Sequence, residues 1–121
     1  MIASLRSVAA VLAGYVLFAV CSYAVFRVSG YDPHAPAPAA FMLGAVASGV
    51  AFGLAGGYLA GLLAGRRPLA HGIAVAVVLA AGATVSLAAT LGHGAVWSQA
   101  AALGLMAPAA ALGGWLRARS V

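Results

Sequence analysis

The sequence predicts an all-α fold: an integral membrane bundle of four antiparallel transmembrane helices, both termini cytoplasmic, in a single domain over residues 1–121. Three observations predict it. The chain is 65% hydrophobic and only 6% charged, with a mean hydropathy of +1.11. Soluble domains carry about 25% charged residues. Four apolar stretches, at about 5–28, 40–64, 69–91 and 96–116, are each long enough to cross a bilayer. Glycine recurs every fourth residue in the second: Gly49, Gly53, Gly57, Gly61, Gly65. Such a row lies along one side of a helix and lets a neighbouring backbone come close.

The first stretch follows Arg6 and ends at Arg27. Tyr23, Phe26 and Tyr31 gather at that far end, where interfacial aromatics belong. Ala10 and Gly14 form a short small-residue face. The apolar run is longer than a signal-peptide core, so an uncleaved first helix is expected. Cys21 is the only cysteine, which excludes an internal disulfide. The loop Ser29-Gly30-Tyr31-Asp32-Pro33-His34-Ala35-Pro36-Ala37-Pro38 follows. Its three prolines forbid a continuous helix, and Asp32-Pro33 is a turn start.

The second stretch carries the glycine row, a glycine-zipper or GxxxG pattern, widened by Gly56, Ala60 and Ala64. Each glycine costs about 1 kcal/mol against alanine in a soluble helix, so a packing seam is expected, with a close partner at Gly53, Gly57 and Gly61. Gly65-Arg66-Arg67-Pro68 breaks the helix. The third stretch has a row of its own: Gly72, Ala76, Ala80, Thr84, Ala88, Gly92. The two rows, on consecutive helices joined by a tight turn, look made for each other. Thr84, Ser86 and Thr90 are expected to bond to backbone carbonyls or across to a neighbour.

After Gly92-His93-Gly94 the fourth stretch is flanked by Trp97 and Trp115. Their separation corresponds to about 27 Å of helical rise, close to hydrocarbon thickness. They are read as interface anchors, as are Arg66, Arg67, Arg117 and Arg119. Pro108 sits mid-helix and should kink it. Five arginines fall on one side of the predicted topology and only Arg27 on the other. Positive charge stays inside, which places both termini in the cytoplasm.

The net charge of +5 does not point to nucleic acid, because the arginines form no basic face interleaved with aromatics. Asp32, His34 and His93 are too few and too scattered for a metal site, which wants three or four firm ligands. His34, His71 and His93 lie near helix ends, so no haem-like cofactor is expected. His71 could meet a lipid phosphate with Arg66 and Arg67. Proton-coupled pumps place ionisable residues inside the membrane, and the absence of Glu argues against small multidrug transporters. A passive pore would draw on Thr84, Ser86, Ser98 and Gln99.

Several motifs resemble a group of uncharacterised four-helix bacterial inner-membrane proteins. They are Ser29-Gly30-x-Asp32-Pro33-His34, Gly56-Gly57-Tyr58-x-Ala60, Gly65-Arg66-Arg67-Pro68-x-x-His71, Trp97-Ser98-Gln99 and Met106-Ala107-Pro108-Ala109-Ala110-x-Leu112-Gly113-Gly114-x-Leu116-Arg117. The resemblance covers most of the chain. It implies fold and location only, a multi-pass protein of the bacterial cytoplasmic membrane, and carries no activity. The expected role is non-enzymatic: an accessory or scaffold subunit packing its smooth helix faces against a larger membrane complex. A homo-oligomeric channel or transporter is the alternative. Expected partners are the lipid bilayer and other membrane subunits or further copies of the chain.

Overall fold

The computed structural model describes residues 2–92 and 94–120. His93 lies outside the described residues, and with it any role in the second outer turn. The elements are α1 (Ile2–Ser29), α2 (Ala39–Ala64), α3 (Pro68–Thr90), α4 (Trp97–Ala101), a π-helical turn (Ala102–Met106) and α5 (Ala107–Ser120). The last three run on as one span, Trp97–Ser120, so four helical stretches are long and apolar enough to cross a membrane. Among the described residues there is no strand. The outer faces suit lipid: Val8, Leu12, Val16 and Val20 lie exposed along α1, Val77 and Val85 along α3, and Leu105 and Leu112 along the fourth span.

Backbone chemistry sets the helix ends. Gly65 ends α2 in the left-handed conformation, φ 72°, which a side chain would resist. The last of the five glycines thus leaves the helix, and the Arg6 guanidinium covers it. Arg6 Nε–H also donates to the carbonyl of Leu63 at 2.8 Å. A cation there satisfies an end-of-helix carbonyl and opposes the negative pole of α2. Pro68 opens α3, where its missing N–H costs nothing.

The π turn lies immediately ahead of Pro108. Pro108 cannot donate to the carbonyl of Gly104, and its ring would crowd that oxygen in an α-helix. The backbone widens by one residue instead, and Ala107 N–H reaches back to Ala102 O. The expected kink is accommodated as a π bulge.

α2 is the central element, in contact with α1, α3 and α5. Its glycines face the fourth span rather than the α3 row. A Cβ built on Gly57 would overlap the carbonyl oxygen of Ala110, and one on Gly53 would lie 2.6 Å from Met106 O. Gly49 faces the Met106 side chain. The fourth span answers with Gly113, where a Cβ would overlap Leu54 O. Gly61 meets Pro68 and Arg117, at 2.8 and 3.2 Å from a built Cβ. On the α1 side, a Cβ on Gly56 would stand 2.5 Å from Gly14 O. Between α3 and α5, Gly72 and Gly114 meet the same way, at 2.6 Å.

The α3 row departs from expectation. Gly72 is buried, Ala76 and Ala80 are half-buried, and Thr84 and Ala88 are exposed. Four residues turn a helix by about 400°, so such a row drifts by about 40° per step and leaves the interface. The inward face is instead His71, Gly72, Val75, Leu79 and Ala83. Thr84 donates to its own helix, to Ala80 O at 2.8 Å.

Candidate functional site

Close backbone contact is concentrated towards the arginine-rich end. In the other half Tyr15 and Phe18 of α1 stand beside Leu79 and Gly82 of α3, with Gly49 of α2 on the same lining. The helices line a partly open cavity of about 350 Å³ there. Phe18, Phe52, Leu79 and Met106 supply apolar wall, with Phe26 and Trp97 nearer the loops. Its volume falls at the small end of ligand pockets.

The roof is polar and built from two loops. Asp32 opens the first as a turn: its Oδ1 accepts the backbone N–H of His34 at 2.8 Å. Ala95 N–H donates to His34 O at 2.9 Å, Ser98 Oγ–H to Pro33 O at 2.8 Å, and Trp97 Nε1–H to Ala35 O at 2.9 Å. These bonds fasten the 30–38 loop to the start of the fourth span. Phe26, Phe41 and Trp97 close the same corner with edge and tilted ring contacts of 5.8–6.3 Å.

Gln99 is the centre of the roof and only 4% exposed. Its Nε2 lies 2.7 Å from His34 Nδ1 and 3.2 Å from both Ser86 Oγ and Thr90 Oγ1. An amide nitrogen has two hydrogens for these three neighbours. Donation to His34 Nδ1 requires the tautomer with its proton on Nε2. Ser98 Oγ lies 3.1 Å from Gln99 Oε1. Of the polar residues considered for a pore, Ser86, Ser98 and Gln99 are therefore brought together in one cross-link, and Thr84 is not.

Ser22 was not signalled by the sequence. Ser22 lines the cavity, and its Oγ is buried with no hydrogen-bond partner among the described residues. Hydroxyls in apolar helices normally bond back to the preceding turn, as Ser48 does to Gly44 O at 2.8 Å. An unpartnered buried hydroxyl costs about 1–3 kcal/mol. A ligand with a donor or acceptor would remove that cost. Neither Asp32 nor any arginine lines this cavity, and its His34 accepts from Gln99 as a neutral ring, so the lining favours an uncharged ligand.

The remaining candidates lie elsewhere. Trp97 is half-buried in the aromatic corner, and Trp115 is exposed beneath the Arg119 guanidinium, 4.9 Å from the ring centre. Arg117 lies 5.9 Å from the Tyr58 ring. Arg66, Arg67 and His71 border a separate groove at the opposite end. Cys21 is half-buried with a free thiol. Among the described residues no three His, Cys, Asp or Glu side chains gather as metal ligands.

The class this fold defines is a multi-pass, all-helical membrane protein. No protein-family model, curated protein or solved structure matches the chain. Its likeness to bacterial inner-membrane bundles therefore stays an expectation.

Proposed function

We propose that this is a non-enzymatic binding protein of the bacterial cytoplasmic membrane that holds a small neutral amphiphile in the roofed cavity. The ligand would have a compact hydrocarbon or aromatic body and a hydroxyl or carbonyl head. The observation that carries this reading is Ser22, which lines the cavity with a buried hydroxyl that has no partner among the described residues. The four helices would run antiparallel with both termini cytoplasmic. In support, Arg6 reaches Leu63, Arg66 reaches Ser7, and Arg117 packs on Gly61, so these three arginines share one end, with Arg67 and Arg119 close to them in sequence. Asp32 and Arg27 are at the other.

The accessory-subunit reading drew on glycine surface left over for a partner. Gly49, Gly53, Gly57 and Gly61 are buried within the chain itself, so the cavity is the better-supported feature. Purification from the native membrane in mild detergent tests both. Solvent extraction of the pure protein should yield a neutral amphiphile in roughly equal amount to the chain. Stoichiometric larger subunits with no such ligand would install the accessory reading. Recovery of bulk phospholipid alone would sink the binding reading.

A further inference from the structure

At the arginine-rich end, α1 and α3 leave a groove of about 490 Å³. Ala70 and Ala74 keep it open on the α3 side, and Val8, Leu12 and Val78 make its floor. These three remain 58%, 54% and 36% exposed. Arg66 and Arg67 stand at its mouth with Ser7 and His71.

The polar groups there form a directed chain. His71 is 7% exposed. Its Nδ1–H donates to Arg67 O at 2.9 Å, which leaves Nε2 to accept the Ser7 hydroxyl proton at 2.9 Å. The Ser7 oxygen is then an acceptor, and Arg66 Nη2 lies 3.4 Å from it. This holds the guanidinium over the groove with one of its five donors engaged. Arg67 is fixed differently. It takes the left-handed conformation, φ 45°, and its carbonyl accepts both the backbone N–H of His71, at 3.1 Å, and the ring. Arg6 is already engaged on Leu63 and Gly65 and does not join them.

No side-chain carboxylate answers these charges. Asp32 is the only acid in the sequence, and it lies beyond the far end of α1, about 35 Å away by helical rise. The arginines sit in the turn between α2 and α3, and the exposed floor runs from there along α1 and α3 into the apolar spans.

We propose that this groove binds one anionic phospholipid, with its phosphate on Arg66 and Arg67 and an acyl chain along Val8, Leu12 and Val78. The charge pattern selects the headgroup: two guanidiniums attract a net negative lipid, and no acidic side chain lines the groove to hold the cationic part of a zwitterionic one. The apolar floor selects a lipid over a soluble phosphate. This site is independent of the cavity under the Gln99 roof.

The test is native mass spectrometry of the full chain in neutral detergent, titrated with phosphatidylglycerol and with phosphatidylcholine of the same chains. One phosphatidylglycerol should bind tightly, with phosphatidylcholine clearly weaker. The double variant Arg66→Gln, Arg67→Gln should lose about thirtyfold for phosphatidylglycerol, the effect of two arginines beside a phosphate, and fall to the phosphatidylcholine level. Ala74→Phe, which fills the groove and leaves the arginines in place, should weaken both lipids. Its helical circular dichroism and melting midpoint report folding, and it carries the test if the double variant fails to fold. Millimolar glycerol phosphate should not displace the lipid. Equal affinity for the two lipids, unchanged binding in Ala74→Phe, or full displacement by glycerol phosphate would each overturn the proposal.

Discussion

Gly57 and Ala110 meet so closely that a single carbon atom does not fit between them: a Cβ at position 57 would overlap the carbonyl oxygen of Ala110. The obstacle is backbone, which cannot swing aside as a side chain can. Gly57→Ala should therefore cost at least about 3 kcal/mol, the upper range for overpacking a core. Gly44 is on the same helix with nothing within 4 Å of a built Cβ. Gly44→Ala should be neutral or gain up to about 1 kcal/mol from helix propensity. Unfolding in graded denaturing detergent measures both. Equal midpoints for the two variants would show that α2 and α5 do not interlock as described.

Pro108 and the π turn form one unit. Deleting Gly104, which is exposed and has open space around it, converts the turn to plain α-helix and returns the Pro108 ring to its clash. That deletion should cost about 3 kcal/mol with Pro108 present and much less in a Pro108→Ala background. The comparison is a double-mutant cycle on melting midpoints. An additive pair would separate the bulge from the proline.

The spans were legible because their apolar runs are divided by Gly, Pro and Arg, which act locally. The partner of the glycine row was not. A four-residue repeat defines a face of α2, but it says nothing about which helix that face meets. The answering glycines, Gly113 and Gly114, form no four-residue row of their own, so spacing does not mark them as the other side of the seam. Spacing alone puts Thr84 and Ala88 in a packing row, and rotational drift carries them to the exposed side. The cavity was hidden for a different reason. Its lining is drawn from all four spans, among them Tyr15, Phe52, Leu79 and Trp97, so no single run of sequence announces it. Ser22 looked like any other hydroxyl in an apolar helix.

Gln99 should be the most costly polar side chain to remove. Gln99→Leu leaves His34, Ser86 and Thr90 without their shared donor, at a cost of about 1–3 kcal/mol. It should also speed hydrogen exchange at Ala95, whose N–H bonds to the same loop at His34 O. Unchanged protection of that amide would mean the roof does not depend on Gln99.

Topology makes its own prediction. Fusions that fluoresce only in the cytoplasm should report at residue 121 and at the Arg66-Arg67 turn, and periplasm-active phosphatase fusions in the 30–38 loop. A periplasmic C-terminus would overturn the proposed orientation.

The most direct test of ligand binding is a comparison of wild type with Ser22→Ala during titration with decanol and with a short-chain quinone. The variant removes a buried hydroxyl that has no partner, so without ligand its melting midpoint should stay level or rise. With ligand, wild type should show a saturable upward shift for at least one probe, and Ser22→Ala a markedly smaller one. A variant that is less stable when empty yet shifts as far as wild type would contradict the account, as would the lack of any saturable shift with either probe.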